Sequence, residues 1–154
     1  MNSQLEIFAQ GRSNIIKLTE ELSLDQLNKV PDGFTGNIIW HMGHLVSTQQ
    51  GLLYRLSGLE MNLNPAFIDK YKKGSVPQGP ADQAELDYIK KELIAQADKL
   101  KSDFAQHQFK NYTTYTTSFG YTMNTFEEAL NFVLMHEGMH IGYIMALRRM
   151  VRNS

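Results

Sequence analysis

Two histidines four residues apart, His136 and His140 in "NFVLMHEGMHIGYIM", match the H-E-x-x-H pattern of zinc proteases. On a helix, positions four apart lie about 40° from one another, so both imidazoles share a face and can hold one ion. Imidazole nitrogen suits zinc, nickel or ferrous iron. A second run, "NIIWHMGHLVSTQQG", places Asn37, His41, His44 and Thr48 at spacings of four, three and four. They form one polar stripe flanked by Ile38, Trp40, Leu45 and Leu52, side chains that belong in a core. The corresponding stripe around the first motif is Ala129, Val133, His136, His140, Tyr143 and Leu147. Polar groups among core positions are costly to bury unless they find partners. Two histidine stripes facing one another meet that demand through a shared ion. His107 has no such company and is read as an isolated side chain.

The protease reading fails on context. In zinc proteases the third ligand normally follows the motif, whereas the fourteen residues after His140, "IGYIMALRRMVRNS", contain no His, Asp or Glu. The third ligand is therefore expected upstream, and no strand system is evident to hold a peptide extended. Glu137 lies about 100° around the helix from His136, at the edge of the ligand face. Two roles are open to it: a catalytic proton acceptor beside the ion, or a surface or interface carboxylate. Gly138 and Gly142 form G-x-x-x-G on the side away from the histidines. Glycine is costly inside a helix, so that face is expected to pack closely against the first helix or a second copy of the chain. Met135, Met139, Met145 and Met150 are expected to fill gaps in the core.

Four helical segments position these residues. The first runs from about Ser3 to Leu22, with Leu5, Phe8, Ile15, Ile16 and Leu22 as its apolar face. The second runs from Gly36–Asn37 to about Ser57, where Gly58 stops it. The third covers roughly Ala81 to His107, alternating charged and apolar residues as a half-exposed helix does. The fourth opens at "NTFEEAL", with Asn124 or Thr125 as cap and Glu127 and Glu128 in the first turn. It ends in "LRRMVRN", with cations where the helix dipole favours them.

The links differ in kind. "SLDQLNKVPDGFTG" is rich in turn residues. The stretch from Gly58 to Pro80 is long for a bundle. At about 3.3 Å per residue it crosses a whole helix length, so the second and third helices are expected to run parallel. "QFKNYTTYTTSFGYTMN" is Tyr/Thr-rich and suggests a short hairpin. Both long links are candidates to cover a site. The expectation is an all-α protein: one domain over residues 1–154, a four-helix bundle with a long crossover between helices 2 and 3.

Composition narrows the function. A chain of 154 residues builds a core without staples. Its net charge of −1, with no basic run, argues against nucleic-acid and anionic-membrane partners. The absence of cysteine excludes disulfides, a thiolate nucleophile and sulfur ligation. The polar N-terminus lacks a signal-peptide pattern, and no apolar run approaches the ~20 residues of a membrane span. A soluble protein of the cytoplasm is expected.

"GNIIWHMGHLV" followed by "TFEEALNFVLMHEGMHIGYIMALRRM" resembles the DinB/YfiT-like superfamily of metalloenzymes, over the whole chain. The resemblance implies an up-down-down-up bundle, commonly a homodimer. It implies that one histidine of a G-H-L-type motif joins an H-x-x-x-H on the last helix, selecting His44, His136 and His140 as metal ligands. His41 is then an extra histidine lining the pocket, and Asn37, Thr48 and Tyr143 are contacts to the ligands or the substrate. Characterised relatives resemble thiol-dependent transferases and isomerases that use a low-molecular-weight thiol such as bacillithiol or mycothiol. The implied protein is a divalent-metal enzyme, with zinc or nickel ahead of iron or manganese. Its chemistry is S-transfer to a thiol or hydrolysis. The alternatives are a non-catalytic metal-binding or stress-response dimer, and a plain bundle whose histidines satisfy one another without metal.

Overall fold

The computed structural model describes residues 1–152. Helix α1 (Asn2–Thr19) buries Leu5, Phe8, Arg12, Ile15 and Thr19, a stripe spaced three and four apart that includes a charge. The turn-rich link contains a short helix α2 (Leu24–Asn28), begun by a capping box in which Ser23 and Gln26 satisfy each other's backbone N–H. Helix α3 (Ile38–Gln49) is capped by Asn37, whose side chain accepts from the Trp40 N–H. It continues through a π turn at Gln50–Tyr54 and a 3-10 turn at Arg55–Ser57. Gly58, at φ +73°, ends it in the left-handed conformation that glycine adopts without strain.

The crossover holds a helix that sequence periodicity missed: α4 (Pro65–Tyr71), capped by Asn64 with proline in its first turn. Helix α5 (Gln83–Ala105) starts on an Asp82 cap. The third link forms the expected hairpin, β1 (Tyr115–Thr116) pairing antiparallel with β2 (Thr122–Met123). Helix α6 (Phe126–Arg152) is capped by Thr125, whose hydroxyl accepts from the Glu128 N–H.

The protein is an all-α bundle. Helix α1 packs on α5 and α6, and α3 packs on the same two, closing a ring of four long helices. Contacts of α1 and the turn after it with α6 advance together: Gln4 with Asn131, Arg12 with Glu137, Glu21 with Arg148. Those between α3 and its continuation and α5 do likewise, Gln49 with Gln96 and Tyr54 with Asp103. Between α3 and α6 the order reverses, His41 meeting His140 and His44 meeting His136. Each histidine stripe therefore faces the other across an antiparallel seam. No described helix is long and apolar enough to cross a membrane.

The core has two apolar clusters, one around Ile38, Leu45, Ile89 and Leu93, the other around Phe8, Leu53, Leu100 and Leu130. On α1, Arg12 lies between Phe8 of the second cluster and Ile15 of the first, and it is fully buried. Its Nη2 donates to the Leu45 carbonyl at 3.0 Å and to Glu137 Oε1 at 2.7 Å. Nε donates to Glu137 Oε2 at 3.3 Å, Nη1 reaches the Leu93 carbonyl at 3.5 Å, and the guanidinium sits 4.5 Å from the centre of the Phe8 ring. One side chain thus joins all four long helices.

The methionines correct an expectation. Met135, Met139, Met145 and Met150 are exposed. Helix α6 packs mainly on α1 and α3, and touches α5 where Phe104 stacks on Phe126 at its start; these methionines are left outside those contacts. A Cβ added at Gly138 or Gly142 meets nothing within 4 Å, so α1 does not dock there. The close approach of α1 to α6 is instead at Gly11, where a Cβ would lie 3.3 Å from Ile141.

Candidate metal centre

His44, His136 and His140 each bring one nitrogen to within 4.8 Å of the other two. Their hydrogen bonds select which nitrogen. His44 Nδ1–H donates to the Tyr71 carbonyl at 2.8 Å, and a carbonyl can only accept. The lone pair of neutral His44 is therefore on Nε2, which faces His136 Nε2 at 3.3 Å and Thr48 Oγ1 at 3.3 Å. His140 Nδ1 is 2.8 Å from His41 Nδ1, which leaves Nε2 of His140 for another partner. Two nitrogens 3.3 Å apart span one edge of a tetrahedron with metal–nitrogen bonds of about 2.0–2.1 Å. His136 Nδ1 is buried without a partner among the described residues, so that ring is anchored through Nε2 alone. The three side chains fit a divalent ion.

Burial and mutual charge keep the imidazoles neutral. Burial, then the nearby charge of His44, lowers His41 to about 4. Burial, then the charges of His44, Arg12 and His41, lowers His136 to about 3. Burial also lowers His44, against the raising effect of its hydrogen bond to Tyr71. Neutral imidazole is the ligating form, so the cluster is ready for a metal at neutral pH. The same shifts set the acid stability of the metal-free protein. Between the folded values near 3–4 and about 6.5, the unfolded chain binds more protons than the folded one, so stability rises with pH in that window and is flat above it. Melting in chelator is expected to show a falling Tm from pH 6.5 to pH 4.5. A constant Tm would contradict the buried neutral cluster.

Helix α4 holds the site from outside. The Tyr71 ring lies flat against α3 at Gly43, where a Cβ would stand 2.5–2.7 Å from three ring carbons. Only glycine lets the Tyr71 carbonyl reach His44, which explains the "GH" pair in "HMGHL". The Tyr71 hydroxyl donates to Glu85 at 2.8 Å, and Trp40 Nε1 donates to Ser75 at 3.0 Å. The Trp40 ring stacks on His44 with centroids 4.7 Å apart. Gly43→Ala is expected to displace Tyr71 and lower metal affinity about 10–100-fold, the usual cost of losing a partner that orients a ligand. An unchanged affinity in chelator competition would show that the Tyr71 carbonyl does not orient His44.

The three histidines line a cleft of about 580 Å³, within the range of small-molecule sites. Both long links help to form it, through Ile68 and Asp69 of α4 and through Tyr115 and Phe119 of the hairpin segment. Thr48 lines it too. Three other expected contacts lie elsewhere. Asn37 caps α3 and donates to the Asn28 carbonyl at 2.9 Å. His41 sits behind His140 and stacks on Tyr143 at 5.2 Å, and Tyr143 is 52% exposed. None of these three lines the cleft.

Glu137 is also corrected. It is 4% exposed, so it is no surface carboxylate, and both of its oxygens engage Arg12 away from the cleft. The 100° step from His136 turns it into the bundle core. Burial pushes its carboxyl up and Arg12 opposes that. Arg12 has no other carboxylate in ion-pair contact among the described residues. His107 lies in the turn after α5 with φ 55°, away from the cluster.

Fold and site together define a helical bundle whose antiparallel seam carries a three-histidine cluster compatible with a metal ion. The chain belongs to the DinB superfamily, which matches residues 7–144. No curated protein matches it.

Proposed function

We propose that the protein is a divalent-metal-dependent enzyme acting on a small molecule, by S-transfer involving a low-molecular-weight thiol or by hydrolysis. The observation that carries this reading is the convergence of three neutral imidazoles on one wall of a ligand-sized cleft. An all-nitrogen donor set favours zinc or nickel over iron or manganese. A divalent ion held by three neutral ligands keeps its full charge and an open position, which acidifies a bound water or thiol toward neutrality. The chain supplies the rest. Tyr71 and His41 fix the rings of His44 and His140. Thr48 offers a hydroxyl beside His44 Nε2 for a bound group. Trp40, Leu52, Phe119 and Phe132 give the cleft walls that exclude water.

The test begins with metal analysis of protein purified without a histidine tag, where about one ion per chain is expected. No stoichiometric metal, together with melting unaffected by chelators, would defeat the proposal. Turnover is then sought with bacillithiol, coenzyme A or glutathione and electrophilic acceptors, and with hydrolysable esters and amides. Activity that persists in His44→Ala after the metal is lost would exclude the mechanism.

A non-catalytic metal-binding dimer is the second reading, and the bare face of α6 favours its dimeric part. Met135, Met139 and Met145 stand exposed beside Gly138 and Gly142. A twofold pairing of this face in two copies would bury it. Sedimentation at micromolar concentration as a monomer would remove the dimer from either reading.

A further inference from the structure

We infer that the cleft takes an organic anion whose charged group is held by Arg55 and Lys73 while its other end reaches the histidines; the histidine end of this inference rests on the metal-site reading above. His44, Thr48, Gly51 and Arg55 follow one another at successive turns of α3 and its continuation, and all four line the cleft. They form its floor. At Gly51 a Cβ would meet nothing within 4 Å, so the absence of a side chain there leaves an open trough between the histidine end and the arginine end.

The cleft differs in charge from the chain around it. Three of the protein's 15 basic residues line it, Arg55, Lys72 and Lys73, against one of its 16 acidic residues, Asp69. The protein as a whole carries −1. Asp69 pairs with Lys72 at 3.0 Å, which leaves Arg55 and Lys73 without a carboxylate partner among the described residues. A half-enclosed cleft lined by unpaired charges of one sign concentrates ligands of the other. A guanidinium also grips a carboxylate or phosphate by two parallel hydrogen bonds.

The spacing sets the length of the ligand. Arg55 lies about 16 Å along the helix from His44 at ~1.5 Å per residue, and both side chains line the cleft. A ligand with roughly 8–10 Å between its metal-directed atom and its anionic group spans what remains. Acetate and inorganic phosphate are too short to touch both ends. The apolar middle, between Leu52 and Phe119, suits a hydrocarbon stem.

Matched probes test this on the full zinc-loaded chain: 6-mercaptohexanoate, the phosphate-ended 6-mercaptohexyl phosphate, and neutral 6-mercaptohexanamide. Trp40, the single tryptophan, lines the cleft and reports binding by its fluorescence. The carboxylate is expected to bind about five- to tenfold more tightly than the amide at low salt. That preference is expected to fall within about twofold at high salt, and in Arg55→Gln/Lys73→Gln at any salt. Amide affinity should stay constant in that variant, and the distant Lys101→Gln should behave as wild type. Comparison of the two anionic probes decides between carboxylate and phosphate. Equal binding of acid and amide, a preference that survives the double substitution, or no binding of any probe to zinc-loaded protein would overturn the inference. If the chain takes up no zinc, the metal reading falls separately, and the acid-over-amide comparison still decides the anion site.

Discussion

Arg12→Ala is expected to cost about 3–5 kcal/mol of folding stability, because it leaves the Glu137 carboxylate buried with no countercharge. The substitution also frees the Leu45 and Leu93 carbonyls that the guanidinium serves. Glu137→Gln should be destabilising for the mirror-image reason, an arginine charge enclosed with only neutral partners. Replacing both ends, Arg12→Met with Glu137→Leu, should recover most of the loss, since a buried pair exchanged for apolar groups of similar size is often neutral or better. Urea melts of the three variants measure this. Wild-type stability in Arg12→Ala would mean that the junction does not hold the helices together. The exposed Lys72–Asp69 pair is the contrast: breaking it should change stability by no more than about 1 kcal/mol.

His136→Ala should lower zinc affinity by on the order of 10³-fold. Zinc binding of about 10–16 kcal/mol shared over a few ligands gives each several kcal/mol. His41→Ala should lose only about 10–100-fold, since His41 orients His140 without contributing to the three-nitrogen cluster. Competition against a chelating dye gives both numbers. Added zinc should raise the Tm of the wild type and leave that of His136→Ala unmoved. Equal zinc affinities for His136→Ala and wild type would place the ion elsewhere.

The helices were legible because each carries an apolar stripe at helical period, and the two histidine motifs because their spacings put the rings on core-facing stripes. What escaped the sequence was set by tertiary neighbours. Helix α4 is seven residues long, too short for a period to declare itself, and its last ring rests on the gap at Gly43. The exposed methionines of α6 follow the same spacing as buried residues, and only the packing decides which apolar face has a neighbour. The polar stripe of α3 was read as one pocket lining. It is longer than the cleft, and its Asn37 and His41 end extends past His140. A signal for the Arg12–Glu137 pair was present. Arg12 falls four after Phe8 and three before Ile15, a core position on α1, where a charge calls for an opposite one.

The hydrogen bond from His44 to the Tyr71 carbonyl makes the crossover and the ion site thermodynamically reciprocal. A movement of α4 that widens the cleft removes the acceptor that orients His44 and so weakens the hold on the ion. By the same factor, a bound ion draws α4 back against Gly43. A ligand wedged under α4 would therefore weaken the hold on an ion in the proposed site, whereas one that presses α4 down would strengthen it. Under the metal reading proposed above, the affinities for ion and ligand would then be linked through the placement of a single backbone carbonyl.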